Sequence, residues 1–261
     1  MKKNFRSLEL IAKKYLNTYS SGIHATLQKD SLVDVDVVRE YQPGDKRLDS
    51  KSSLKTSRVM SRVFNPDRNL NIFIILDISA SHFNKIDYSV ITALYLAYLA
   101  DICSEKVGIC VFSDHIVSIS EPSEDYSSIL GTIEKSFIKI NTHTNANDAL
   151  NKVCGLSLSN SFIVLISDFC YNLDKKNIRR LISPTNQFLN VVIYNPDDWV
   201  NEAPFNLTFK DAETGSVVCY KPNSTKFNDW QRKLDLLGDK VFLNVKEDNF
   251  LLPLVSYLLK E

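Results

Sequence analysis

Asp77, Ser79 and Ser81 stand on alternate residues directly after the apolar run 70–76, LNIFIIL. One carboxylate and two hydroxyls leaving a strand in a tight loop can converge on a single point. Hard oxygen donors carrying one negative charge suit Mg²⁺ or a similar cation, and they leave it electron-poor with open positions. An acidic side chain from another protein can complete such a site. The run before Asp77 is β-branched and aromatic without helical polar spacing, which predicts a buried central strand of a parallel sheet. Open α/β sheets bind ligands outside the carboxyl ends of such strands.

The elements that would position this loop follow from the alternation beyond residue 70. Strand and helix signals succeed one another and predict an α/β fold: a doubly wound, mostly parallel sheet with helices on both faces. Residues 88–102 read as a strongly apolar helix, 106–112 as a strand, and 116–120 as an alternating, antiparallel edge strand. Helices are expected over 125–137 and 147–153 around a polar loop at 141–145, with buried strands over 161–167 and 188–194. A hairpin insertion is expected at 207–220 around a turn at 211–215, then a helix over 226–237 stopped by Gly238, a strand over 241–245 and a closing helix over 250–259.

Residues 70–261 therefore read as one domain, and residues 1–69 as a small N-terminal α+β extension, too small to fold alone. The extension has helical spacing over 5–16, an extended stretch over 33–38, and a type II turn at Gln42-Pro43-Gly44-Asp45.

Hydrophobic residues make up 44% of the chain, charged residues 24%, and the formal net charge is zero. Nothing in that balance draws the chain to nucleic acid or an anionic membrane. The basic stretch Lys51, Lys55, Arg58, Arg62 and Arg68 has no interleaved aromatics and reads as a solvated face, so no nucleic-acid partner is expected. The five cysteines show no C-x-x-C spacing, which favours reduced thiols and a cytoplasmic location. Charged residues interrupt any signal-peptide core near the N-terminus, and the apolar stretch 90–100 is too short to span a bilayer, so no transmembrane segment is expected.

Several other chemistries fail on inspection. Gly131 to Ser136 ends in Lys-Ser like a phosphate-binding loop but lacks a second glycine and falls in a helical stretch. A phosphatase of the haloacid dehalogenase type needs a second carboxylate two residues after its Asp, and Ser79 stands there. No G-x-S-x-G elbow is present. His82, His115 and His143 fall in loops on one expected face but lack ligand spacing, so a site for a transition metal ranks low. A metal-dependent hydrolase or phosphotransferase ranks second, because no spare carboxylate or lysine accompanies the cluster as acid or base. The plainest alternative is that Ser79, Ser81 and Thr144 form turns or caps and that Asp77 and Asp168 are strand-end residues hydrogen-bonded to backbone.

The D-x-S-x-S segment resembles the metal-ion-dependent adhesion site of von Willebrand factor A domains. That resemblance implies two further ligands from later loops, Thr144 in Asn141-Thr142-His143-Thr144-Asn145 and Asp168 in Ile166-Ser167-Asp168-Phe169. Val38-Arg39-Glu40-Tyr41-Gln42-Pro43-Gly44-Asp45, followed by Arg47-Leu48-Asp49, is similar to the REYxPGD…R.ID block of the bacterial domain of unknown function 58 family. Asp211 to Gly215 resembles that family's late D-x-E-T-G turn. Ser50 stands where the family has Trp, and two residues are missing between Asp45 and Arg47. The family's GGTD loop reads Thr142-His143-Thr144-Asn145 here and His82 stands for its common Met; these changes spare the coordinating oxygens.

The resemblance implies a non-enzymatic module that binds Mg²⁺ or Mn²⁺ through Asp77, Ser79, Ser81, Thr144 and Asp168. Its partner would be a MoxR-type AAA+ ATPase, a client bearing an acidic residue, or both. Arg39, Tyr41, Pro43, Gly44, Asp45, Arg47 and Asp49 would dock the extension or the partner.

Overall fold

The structure, a computed structural model, describes residues 5–27, 37–41, 53, 55–56, 58–63, 71–79, 85–103, 105–137, 144–156, 158–171, 173–182, 186–199, 207–210, 217–220, 224–235 and 237–258. Helix α1 (Phe5–Leu27) and an antiparallel pair, β1 (Val37–Glu40) with β2 (Met60–Val63), come first. The alternation then runs β3 (Asn71–Asp77), α2 (Ile86–Cys103), β4 (Lys106–Phe112), β5 (Ile116–Ser123), α3 (Tyr126–Phe137), α4 (Ala146–Cys154), β6 (Ser161–Ser167), α5 (Lys175–Leu181) and β7 (Asn186–Tyr194). A second antiparallel pair, β8 (Leu207–Lys210) with β9 (Val217–Tyr220), leads to α6 (Ser224–Asp235), β10 (Lys240–Asn244) and α7 (Leu252–Leu258).

Six strands form the main sheet in the order β10-β7-β6-β3-β4-β5, all parallel except β5, which runs antiparallel to β4 at the edge. The chain starts in the middle at β3, winds outward through β4 and β5, then returns to the other side of β3 as β6. That reversal is a topological switch point, and the crevice it opens lies at the carboxyl ends of β3 and β6. The expected doubly wound, mostly parallel sheet is thus observed.

Side-chain alternation divides the core into two layers. Ile72, Ile74 and Leu76 of β3 join one apolar cluster with residues of α1, α2, α3 and α7. Phe73 and Ile75 join the other with residues of α4, α5 and α6. Gly108 in β4 is forced by this packing: a Cβ there would lie 2.8 Å from Phe73 Cδ2 and 2.8 Å from the Pro122 nitrogen.

Helix α2 is apolar on every side because it is covered on every side. The sheet lies beneath it, and Leu8, Ala12 and Leu16 of α1 are buried in the same cluster. By length and composition alone α2 would pass for a membrane span, but 72% of that window is buried within the protein. Its first turn begins one residue after Lys85, whose carbonyl accepts the N–H groups of Tyr88 and Ser89. α1 is fixed at several points. Tyr98 donates to Glu9 Oε1 at 2.6 Å, Lys13 Nζ sits 4.9 Å from the Tyr98 ring centroid, and Tyr15 donates to the Asp248 carbonyl at 2.6 Å.

Some elements differ from the sequence reading. α1 extends to Leu27, well past the helical spacing seen over 5–16. α5 was not anticipated; it is short and charged, and it is started by the Asp174 side chain, which accepts from the Lys176 N–H at 2.9 Å. β2 was also unforeseen, since Met-Ser-Arg-Val has no alternation to read and gains its place from β1. Gly238, expected to stop a helix, has φ +83, a conformation that favours glycine. The phosphate-loop lookalike at 131–136 lies inside α3, as expected. The turns expected at 42–45 and 211–215 lie outside the described residues.

Candidate metal centre

Residues Leu76 and Ile166 are partners in the β3–β6 register, so the next residues along, Asp77 and Ser167, face one another. Both also fall on the same side of the sheet as Phe73, Ile75, Ile163 and Leu165. The Ser167 hydroxyl donates to Asp77 Oδ2 at 2.7 Å, and the Ser79 N–H donates to Asp77 Oδ1 at 2.9 Å. Asp77 and Ser79 are both fully buried. Placing a carboxylate out of water costs several kcal/mol unless bonds or a cation compensate. The donors to Asp77 in these two bonds are neutral.

Asp168 follows β6 immediately. Its Oδ1 accepts the Cys170 N–H at 3.1 Å, and its carbonyl accepts the Trp230 indole N–H at 3.0 Å. Lys85 Nζ lies 2.9 Å from Asp168 Oδ2, with the two side chains only 7% and 2% exposed. Between Asp168 and Cys170, Phe169 takes φ +56, and its N–H donates to the Ser167 hydroxyl at 3.0 Å. A left-handed conformation at an aromatic residue costs about 1–3 kcal/mol, and such strain gathers at functional sites.

Tyr171 closes the floor. Its ring stacks on Phe169 at 6.2 Å between centroids and meets Phe112 edge-on at 6.4 Å. Burial, followed by the negative charge of Asp77, pushes its phenol well above the ordinary value.

Thr144 is half-buried beside this rim. The next N–H, of Asn145, donates to the Ser113 carbonyl at 2.6 Å, one residue beyond Phe112, the register partner of Asp77. The Asn145 side chain then caps α4 by accepting from the Asp148 N–H at 3.2 Å. Helix capping in this loop therefore belongs to Asn145, not to Thr144. His115 is exposed, with Nδ1 2.6 Å from Asp114 Oδ1. Ser81, His82 and His143 lie outside the described residues.

Of the block expected to dock, Tyr41 is 42% exposed and its N–H donates to the Val59 carbonyl at 2.8 Å. Arg39 is a β1 residue paired in register with Ser61. Pro43, Gly44, Asp45, Arg47 and Asp49 lie outside the described residues. Arg58 of the basic stretch pairs with Glu40 at 3.4 Å on the surface.

The candidate donors at these strand ends are oxygens: two buried carboxylates, Asp77 and Asp168, and the buried Ser79, while Thr144 directly precedes the Asn145 cap of α4. Among the described residues no cluster of three or more His, Cys, Asp or Glu side chains that could hold a metal ion is present. That chemistry fits a hard divalent cation in ligand type. One expectation needs correction. The sequence offers no lysine to the cluster, yet Lys85 reaches Asp168, because α2 begins one residue later beside it. Sequence reading also missed Ser167, Trp230 and Tyr171. Lys85 had a usable signal: a lysine at the start of a helix opposes the helix dipole and calls for a carboxylate nearby.

Fold and site together define an open, doubly wound α/β protein with a buried acidic crevice at its switch point. The chain belongs to the family described as protein of unknown function DUF58, which matches residues 37–233. Helix α1, strand β10 and helix α7 lie outside that match. Among solved structures, the conserved hypothetical protein BatB from Bacteroides thetaiotaomicron aligns at 17% identity and TM-score 0.47, over 74% of this chain and 100% of that one. An aerotolerance-related membrane protein from Bacteroides fragilis aligns at 19% identity and TM-score 0.47, over 73% of this chain and 98% of that one. No curated protein matches.

Proposed function

We propose that this protein is a non-enzymatic, metal-dependent protein-interaction module of the von Willebrand factor A type. Asp77, Ser79 and Ser81 would hold Mg²⁺ or Mn²⁺, with Thr144 and Asp168 contributing directly or through water. Once bound, the ion supplies an electron-poor centre for an acidic side chain of a partner. The family resemblance points to a MoxR-type AAA+ ATPase, or an acidic client, in protein assembly or maturation. A partner that consumes ATP implies the cytoplasm, in keeping with Cys103, Cys110, Cys154 and Cys170 all being free thiols.

The observation that carries this reading is the placing of two buried carboxylates, Asp77 and Asp168, at the ends of adjacent parallel strands across the switch point. Calorimetric titration with MgCl₂ and MnCl₂ tests it, paired with capture of the ATPase in the presence and absence of EDTA. Metal binding and metal-dependent capture, both lost in Asp77→Asn, are the expected result. Absence of any heat at millimolar ion removes the metal from the function.

Lys85 gives a second reading some support, since a hydrolase or phosphotransferase needs a group of that kind near its cation. It ranks below the first because Lys85 is buried and already engaged by Asp168. Turnover of phosphoester substrates, abolished by Lys85→Met, would reverse the order.

A further inference from the structure

Resting on the metal-site reading above, we infer that Lys85 is the resident cation of this crevice. Its ammonium holds Asp168, and Asp168 becomes available to a divalent ion only when Lys85 withdraws. The site therefore has a lysine-held and a metal-held state.

Charge arithmetic supports an exchange over simple addition. Asp77, Asp168 and Lys85 together carry a net charge of minus one. Adding a divalent ion while Lys85 stays would leave plus one in a buried site, with two cations sharing one carboxylate. With Lys85 withdrawn, two carboxylates and one divalent ion are neutral. Like charges in a poorly hydrated region repel strongly, so the neutral arrangement wins.

The backbone permits the exchange without refolding. Lys85 contributes its carbonyl, not its side chain, to starting α2, accepting the N–H groups of Tyr88 and Ser89 at 3.0 and 3.1 Å. Four side-chain torsions therefore carry the ammonium away while the helix stays intact. The positive end of the α2 dipole also disfavours an ammonium there, which lowers the cost of its leaving. Lys85 further lies four residues after Ser81 in the chain, so the loop bearing a proposed ligand and the competing cation share one short stretch of backbone.

The test uses the full chain and MnCl₂ alone. Lys85 acylation by an N-hydroxysuccinimide ester is followed by peptide mass spectrometry during a Mn²⁺ titration, with calorimetry in parallel. We expect Lys85 to be protected without metal and at least tenfold more reactive at saturation, with the same midpoint as the heat of binding. Lys85→Met should bind Mn²⁺ at least tenfold more tightly, while Asp77→Asn should lose both responses. If the wild-type chain binds Mn²⁺ while Lys85 stays protected, the exchange is wrong and the metal site stands. If neither wild-type nor Lys85→Met binds Mn²⁺, both ideas fall. The acylation readout on wild-type protein decides the matter even if Lys85→Met fails to fold.

Discussion

Ser167 donates its hydroxyl to Asp77 across the β3–β6 boundary at 2.7 Å, and the same hydroxyl accepts the Phe169 N–H at 3.0 Å. One side chain therefore satisfies the buried carboxylate and steadies the strained residue beyond Asp168. Ser167→Ala removes both bonds, and leaving buried polar groups unmet costs about 1–3 kcal/mol each. Urea unfolding should show a loss of about 2–6 kcal/mol, built from those two losses. A loss below about 0.5 kcal/mol, the range of ordinary surface changes, would show that water replaces the hydroxyl.

Asp77 itself separates function from stability according to the substitution chosen. Asp77→Asn keeps an oxygen for the Ser79 N–H but faces the Ser167 hydroxyl with an NH₂ that cannot accept its proton, so its melting temperature should fall less than that of Asp77→Ala while Mn²⁺ affinity falls at least tenfold. Asp77→Ala leaves both partners unmet and should cost about 2–6 kcal/mol. Repulsion between Asp77 and Asp168 does not make the alanine variant benign, because Lys85 already sits beside Asp168. Calorimetry and thermal melts on the two variants check both halves.

Gly108→Ala should destabilise the sheet by about 1–3 kcal/mol, the usual cost of overpacking. The new methyl meets the Pro122 backbone nitrogen at 2.8 Å, which cannot swing aside as a side chain can. Chemical denaturation measures it, and an unchanged midpoint would mean that β5 shifts freely against β4.

The α1 anchor gives a pH signature. Hydrogen bonds from Lys13 and then Tyr98 hold the Glu9 carboxyl below its ordinary value of 4.5. A carboxylate with a depressed folded-state pKa stabilises fully above the unfolded value and loses that contribution as pH falls through the folded one. The melting temperature of wild type should therefore exceed that of Glu9→Gln at neutral pH, with the gap shrinking below about pH 4.5. A gap that widens on acidification would contradict the assignment.

Leu8→Ala tests how far α1 belongs to the main core. Leu8 is fully buried in the cluster that contains Leu94 and Tyr95 of α2, so about 2–5 kcal/mol should be lost. A surface-like loss would mean that α1 merely rests on the domain.

Much of the sheet was legible because its strands are buried on both faces. Residues 106–112 and 161–167 are continuous apolar runs with no competing period, and both were located to the residue. The places of Asp77 and Asp168 at strand ends were legible for the same reason, since each directly follows such a run. Ser167 and Lys85 were not. Their roles depend on register between strands and on the path of α2, and neither leaves a local pattern. β2 and α5 were invisible because each is short and takes its conformation from a neighbour or a single cap.

The span between Asp77 and Ser167 also sets a clock on biosynthesis. They are 90 residues apart in the chain. At ribosomal rates of about 5–20 residues per second, β3 waits roughly 5–20 seconds for β6 to appear. Throughout that interval β3, a strongly apolar strand, has an unpaired edge, the kind of surface on which nascent chains join one another. β6 covers that edge and delivers Ser167 and Asp168 together, so the site comes into being as β3 becomes paired on both sides, and the open edge passes to β6 until β7 arrives. A chain halted before residue 161 should aggregate through β3, whereas one released after β6 should carry a crevice that marks β3 as paired.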